Sequence, residues 1–96
     1  MPVSISDEPV NHRYEATIDG EVVGYALYRR SGNSITFTHT VVEEAFEGRG
    51  VAGDLARTAL DDARAEGLQV IPRCPYIAAW IKRHADYADL VAPGPS

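Results

Sequence analysis

The chain has 96 residues, a formal net charge of −5, 45% hydrophobic residues and 24% charged residues. A chain of this length holds one core. Its apolar content excludes an intrinsically disordered protein, and no apolar run is long enough for a transmembrane helix. The negative net charge argues against nucleic-acid binding as the main role. No secretory signal pattern opens the sequence, and its single cysteine, Cys74, has no internal disulfide partner, so we expect a cytoplasmic protein.

The first half of the sequence predicts a three-stranded antiparallel meander. Residues 1–10 contain Pro2 and Pro9 and are expected to form a loose leader. Alternating or β-rich runs predict strands over residues 12–18, 21–29 and 34–42. Asp19-Gly20 and residues 31–33 are turn signals between them. In the third strand, strict alternation places four side chains on one face: Ile35, Phe37, His39 and Val41.

The second half predicts a helix, a strand and a further helix. An apolar stripe of helical period begins at Val51 and ends before Gly67, a residue suited to the position after a helix. A short apolar run follows at residues 68–71, and a strand–helix–strand order implies a right-handed crossover between parallel strands. Pro72 cannot donate to a sheet, so the parallel strands should splay apart near it. Pro75 is suited to the first turn of the last helix.

These elements predict one α+β domain over residues 1–96. Its sheet is expected to hold the meander and the β-α-β crossover with splayed parallel strands, followed by a C-terminal helix. Trp80 has helical spacing within that helix and is expected in the core. Residues 92–96 are expected to be a frayed tail. The oligomeric state is left open.

Residues 47–53, Glu-Gly-Arg-Gly-Val-Ala-Gly, carry the most chemical information, because they join a strand to a helix. Glycines there permit positive φ and close approach of a ligand. Unpaired amides and the dipole of the first helical turn favour an anion such as a pyrophosphate. A bare Gly-x-Gly can equally serve only to turn the chain. The P-loop motif does not fit, since Asp54 follows Gly53, and the dinucleotide fingerprint does not fit after three antiparallel strands.

Residues 43–52, Glu-Glu-Ala-Phe-Glu-Gly-Arg-Gly-Val-Ala, with the amphipathic helix that follows, resemble the acetyl-CoA pyrophosphate loop of the GNAT acetyltransferase superfamily. That loop reads Gln/Arg-x-x-Gly-x-Gly/Ala. Glu47, Gly50 and Ala52 occupy its marked positions, and Glu47 departs from the usual Gln or Arg. The resemblance covers roughly residues 12–91. Further stretches similar to the small single-domain branch of the superfamily are residues 39–42, 70–76 and 81–84.

The resemblance implies a GNAT-like fold that binds acetyl-CoA as co-substrate. No metal is expected, because Cys74 and the three histidines show no ligand spacing. The resemblance also implies that the pantetheine arm lies between the splayed strands on the backbone of Val41 and Val42. Tyr76 either lies beside the thioester or serves only in packing. Glu47 marks the start of the pyrophosphate loop. The pyrophosphate would rest on the segment formed by Gly48, Arg49, Gly50, Val51, Ala52 and Gly53, where Arg49 is either a phosphate ligand or a solvated side chain.

Cys74 and His39 are the candidate catalytic residues. Cys74 follows the last predicted strand, and His39 lies near the end of the third. Because these two strands are expected to be parallel neighbours, both residues are expected near the carboxyl edge of the sheet. A cysteine before a helix and a nearby histidine can form a nucleophile–base pair, and the resemblance implies the same two residues. The alternatives are a small buried cysteine and a hydrogen-bonded core histidine. His12 and His84 are expected to be structural or solvent-facing, and no metal-ligand spacing is present.

The leading functional hypothesis is an acetyl-CoA-dependent N-acetyltransferase that acts on an amine of a small molecule or protein, either by direct attack or through Cys74. The alternative is a CoA-binding or protein-interaction module with little catalysis, and a weaker one is a phosphate-binding domain unrelated to CoA. No nucleic acid or membrane partner is expected. The acidic cluster of Glu43, Glu44 and Glu47 favours a cationic acceptor.

Overall fold

The computed structural model describes residues 2–91, which form a five-stranded mixed sheet and two α-helices. The strands lie in the order in which they occur in the chain, with antiparallel pairing except for the last pair, which is parallel. The strands are β1 Ser4–Glu8, β2 Arg13–Ile18, β3 Glu21–Ser31, β4 Ser34–Val42 and β5 Gln69–Pro72; the helices are α1 Val51–Ala65 and α2 Pro75–Arg83. The predicted α+β architecture, with a meander followed by a crossover, is therefore confirmed.

The loose leader predicted over residues 1–10 is wrong, because Ser4–Glu8 forms β1 and pairs with β2 along its whole length. Ile5 packs against the core, and the Tyr28 hydroxyl donates a hydrogen bond of 2.6 Å to Asp7. Tyr28 belongs to β3, far along the chain, so the sequence around residues 4–8 does not reveal this contact. The predicted tail at residues 92–96 lies outside the described residues.

The β2–β3 and β3–β4 hairpins have tight turns where the turn residues predict them. Asp19 and Gly20 have φ values of 52° and 80°, as a two-residue turn with two left-handed positions requires. Helix α1 ends in the expected way, since Gly67 has a φ of 69° and the amide of Leu68 donates to the Ala63 carbonyl at 2.9 Å. This closure returns the chain to the sheet at β5.

The core lies between one face of the sheet and the two helices. Phe37 and Ile35 of β4 are buried against it, as are the alternate residues of β2 and β3. The buried stripe of α1 is Val51, Leu55, Ala56, Ala59, Leu60 and Ala63. Trp80 of α2 is 4% exposed, so its predicted place in the core is confirmed. The opposite face of the sheet carries half-buried and exposed side chains, which makes this a two-layer domain.

Candidate functional site

The loop between β4 and α1 has the backbone that its glycines predict. Gly48 and Gly50 adopt φ values of 80° and 79°, in the left-handed region that favours glycine. A Cβ atom placed on either residue would meet no atom within 4 Å. The backbone at both positions therefore borders open space that a ligand can occupy, as the sequence led us to expect.

Gly50 is the residue that precedes α1, and no side chain caps the helix. The first intrahelical bond runs from the Asp54 amide to the Gly50 carbonyl at 3.0 Å. The amides of Val51, Ala52 and Gly53 consequently have no partner within the helix. Together with the helix dipole, these donors suit an anion with several oxygen atoms, such as a diphosphate.

Strand β4 loses its partner on the β5 side halfway along its length. The parallel pairing ends with Phe37 opposite Pro72, and the Cys74 amide then donates to the Phe37 carbonyl at 2.8 Å. The predicted separation of the two strands at Pro72 is therefore present. Beyond Phe37, β4 pairs only with β3.

The backbone groups left open on β4 belong to Thr40 and Val42. The Glu43 amide donates to the Val23 carbonyl at 2.8 Å, so every second residue before Glu43 also points its backbone toward β3. Val41, opposite Tyr25, is one of the residues whose backbone groups point toward β3. The backbone groups of Val42 point to the other side, which has no partner strand. Val42 therefore lies where the sequence placed it, whereas Thr40 takes the position expected for Val41.

A cavity of about 410 Å³ extends from the unpaired edge of β4 to the N-terminus of α1. Its wall is formed by Thr40, Val42, Phe46, Glu47, Gly48, Gly50, Val51, Ala52, Gly53 and Tyr76. Eight of the residues that the sequence nominated thus line one space. Arg49 does not line it; its guanidinium lies 5.4 Å from the centre of the Phe46 ring.

Tyr76 lies in the first turn of α2, and its side chain reaches the cavity wall beside Gly53. A Cβ atom on Gly53 would lie 3.8 Å from the Tyr76 hydroxyl and 3.7 Å from the indole nitrogen of Trp80. Burial raises the pKa of Tyr76, and the positive charge of Arg83 only partly opposes this. The phenol therefore stays protonated at neutral pH and can act as a hydrogen-bond or proton donor.

Cys74 lies behind the cavity wall. It immediately precedes α2 and is 2% exposed. Its sulfur lies 3.3 Å from the hydroxyl oxygen of Thr40, which lines the cavity. Sequence reasoning missed Thr40, because the predicted alternation placed it on the other face of the strand.

His39 lies on the face opposite to the one expected. Leu27 pairs with His39 while the next residue, Tyr28, pairs with Phe37, so Thr38 is an extra residue in β4. This β-bulge reverses the alternation, because residues directly opposite each other share a face. Tyr28 and Phe37 point into the core, whereas His39 is exposed on the outer face. The structure therefore does not bring His39 and Cys74 together as a nucleophile–base pair.

Two absences concern the described part of the chain. Within residues 2–91, no group of three or more His, Cys, Asp or Glu side chains is placed to hold a metal ion. No helix in the same range has the length and apolar character needed to cross a membrane.

Solved structures with the same arrangement include a GCN5-like protein from Staphylococcus aureus. It superposes with a TM-score of 0.73 over 96% of this chain and 90% of that chain, at 20% sequence identity. A ribosomal-protein-alanine N-acetyltransferase from Brucella melitensis superposes with a TM-score of 0.61 over 88% of this chain and 66% of that one, at 18% identity. Both show that the fold is shared.

The sequence of this chain is similar to those of other proteins and matches the model of one protein family. The Protein NATD1 of Xenopus tropicalis is 37% identical over 59 residues, which span 60% of this chain and 54% of that protein. Its counterpart in Gallus gallus is 29% identical over 85 residues, which span 86% of this chain and 77% of that protein. The model of the GCN5-related N-acetyl-transferase family matches residues 13–90. This chain therefore belongs to the GCN5-related N-acetyltransferase family.

Proposed function

We propose that this protein transfers the acetyl group of acetyl-CoA to an amine. One observation carries the proposal: the uncapped first turn of α1 and the unpaired end of β4 line the same cavity. A volume of about 410 Å³ lies within the range of small-molecule sites. Family membership supports the same reaction type.

The residues present suit the two polar parts of CoA. Amides from Gly48 to Gly53 would receive the diphosphate, and the open space beyond Gly48 and Gly50 leaves room for it. The amide groups of the pantetheine arm would pair with the backbone of Thr40 and Val42, as an extra strand pairs with a sheet edge. Arg49 is not part of the cavity wall, so we assign the diphosphate to backbone donors.

The reaction needs two proton movements around one acyl transfer. A neutral amine nitrogen forms a bond to the acetyl carbonyl carbon, and the carbon–sulfur bond breaks. The amine gives up one proton, to His39 or to water, and the departing thiolate takes one from Tyr76, which regains it from solvent. A neutral amine and a thioester thereby become an amide and a thiol without net change in protons.

We favour direct attack by the amine over an acetyl-cysteine intermediate. The Cys74 thiol is 2% exposed and its polar neighbour is the hydroxyl of Thr40, which is a poor base. A Cys74→Ala variant is expected to keep turnover within about threefold of the wild type, because no covalent step would be lost. Mass spectrometry of the acid-quenched wild type with acetyl-CoA checks this, and an acetyl group on Cys74 that passes to an amine would contradict it.

The proposed function is tested by titrating the ¹⁵N-labelled protein with CoA and by measuring thiol release from acetyl-CoA with a panel of amines. We expect shifts of the amides from Gly48 to Gly53 and amine-dependent release of free thiol. Binding without release on any amine would favour a CoA-binding module instead. No response of these amides to CoA would overturn the proposal altogether.

Glu47 places a carboxylate in the wall of the cavity that would receive the diphosphate. Glu47→Gln is expected to tighten CoA binding about fivefold, because like charges a few ångströms apart in water repel by about 1 kcal/mol. Isothermal titration calorimetry at low salt measures the effect. Glu44→Gln removes the same charge from the neighbouring 3₁₀ helix Glu44–Phe46, outside the cavity wall, and is the matched control. Equal affinities of the two variants would contradict the assignment.

A further inference from the structure

A second cavity, of about 650 Å³, opens on the outer face of the sheet. We name it the outer groove; its wall is formed by His12, Leu27, Tyr28, Arg29, Arg30, Thr38 and His39. Among the described residues, 2–91, no carboxylate lines it. In a chain of net charge −5, a groove with two arginines, two histidines and no acid is a local reversal of charge.

The cavity of about 410 Å³ described above is named the CoA cavity after its proposed ligand. The outer groove and the CoA cavity lie on the two faces of β4. Thr38 and His39 line the outer groove, and Thr40 and Val42 line the CoA cavity. The bulge at Thr38 produces this division, because it turns His39 outward and Thr40 inward. Both spaces reach β4 just beyond Phe37, where β5 ceases to pair with it. A molecule in the outer groove would therefore lie close to the strand segment that faces the acyl donor.

The two arginines of the outer groove differ in their partners. Arg30 forms an ion pair with Glu66, with 3.1 Å between a guanidinium nitrogen and a carboxylate oxygen. Arg29 is exposed and forms no ion pair within residues 2–91. Arg29 is thus a free cation at the groove, available to a negatively charged group.

The acids that suggested a cationic acceptor face other spaces. Glu47 lines the CoA cavity, and Glu43 lines a separate shallow depression beside Arg13. Glu44 belongs to the 3₁₀ helix between β4 and α1 and lines neither the CoA cavity nor the outer groove. Their charge is therefore not presented to a molecule in the outer groove.

We infer that the outer groove binds the acetyl acceptor, and that this acceptor is a small amine that also carries a carboxylate or phosphate. Arg29 pairs with the anionic group, and His39 lies beside the amine and can accept its proton. Leu27, half-buried, supplies an apolar surface for the atoms between the two polar ends. This inference rests on the proposed acetyl transfer and gives it a substrate class.

The test uses matched amines that differ in the anionic group. O-phosphoethanolamine is compared with ethanolamine, and γ-aminobutyrate with its amide, in NMR titrations of the full chain saturated with CoA. We expect the anionic member of at least one pair to shift the amides of Leu27, Arg29 and His39 and to bind about tenfold more tightly than its neutral partner. The two pairs distinguish a phosphate from a carboxylate acceptor.

Variants assign the preference to the groove. Arg29→Gln is expected to remove the tenfold preference, and Arg29→Lys to restore part of it, because the charge returns without the guanidinium geometry. Lys82→Gln removes the same charge from the exposed surface of α2 and should change nothing. In acetyl transfer, the ratio of kcat/KM for an anionic amine to that for its neutral partner should fall toward one in Arg29→Gln alone.

Failure of the inference and failure of the proposed function give different results. If CoA shifts the amides from Gly48 to Gly53 but neutral amines or spermidine bind as well as the anionic amines, the inference is overturned and the proposed function stands. An anion preference that Arg29→Gln leaves unchanged would also overturn it. If CoA produces no shift at Gly48 to Gly53, the proposed function itself fails, and the acceptor assignment fails with it.

Discussion

Tyr76→Phe is expected to lower the turnover number about 10- to 100-fold and to change the affinity for acetyl-CoA little, because general-acid catalysis contributes at least about this much. Tyr76 lines the CoA cavity, and burial raises the pKa of its phenol above the ordinary value of 10.0. The phenol is therefore protonated through the neutral and mildly alkaline range and can protonate the departing thiolate. Steady-state kinetics with acetyl-CoA as the varied substrate separate kcat from KM.

The matched control for Tyr76 is Tyr25→Phe. Tyr25 is half-buried on the outer face beneath the guanidinium of Arg13, at 4.7 Å, and lines neither the CoA cavity nor the outer groove. The Tyr25→Phe variant loses the same hydroxyl group, and its turnover number should stay within about twofold of the wild-type value. An unchanged turnover number in Tyr76→Phe would remove this residue from the proposed step and leave solvent as the proton source.

Gly24→Ala is expected to lower the free energy of unfolding by about 1–3 kcal/mol, as overpacking of a tight site does. Gly24 lies in β3, beside the end of β4 and the start of α1. A Cβ atom there would lie 3.0 Å from the Val41 carbonyl oxygen, 3.2 Å from a methyl of Val42 and 3.4 Å from a methyl of Val51. The carbonyl belongs to the backbone, so the end of β4 has to move. Thermal unfolding should show a decrease in Tm of about 5–20 °C for a domain of this size.

The same displacement should weaken CoA binding, because Val42 and Val51 both line the cavity. Gly53→Ala provides the contrast for stability. Its Cβ atom would meet only ordinary contacts, at 3.7 Å and 3.8 Å, and alanine is the better helix former by about 0.5–1 kcal/mol. Gly53→Ala should therefore keep or raise the Tm while Gly24→Ala lowers it. Equal Tm values for Gly24→Ala and the wild type would show that the end of β4 shifts without cost.

The elements that could be predicted are those whose signals are local. Asp19-Gly20 needs only its own backbone preferences to form a hairpin, and Gly67 needs only the preceding turn of α1 to end it. Pro72 lacks an amide hydrogen wherever it lies, so the end of the parallel pairing followed from that residue alone. Gly48 and Gly50 likewise marked the loop between β4 and α1 as a candidate site, because glycine is free to take positive φ.

The features that could not be predicted depend on distant contacts. Ser4–Glu8 became a strand because β2 offers it a partner and Tyr28 donates to Asp7, across 21 positions of sequence. Thr38 gave no sign of a bulge, since a one-residue offset arises only when β4 pairs with β3. That offset exchanged the roles expected of His39 and Thr40. Gly24 showed its importance only once β4 and α1 were in place around it.

The α+β class, the crossover and the loop suited to a diphosphate could therefore be inferred from the amino-acid sequence alone, because turn residues, proline and hydrophobic period act over a few neighbouring residues. Which side chains of β4 face each cavity depends on the way the strands pair in the folded protein. The reason is physical: the face of a strand residue depends on its pairing register, and one inserted residue moves every later side chain to the other face. In this protein that insertion separates His39 from Cys74 and places Thr40 beside the thiol.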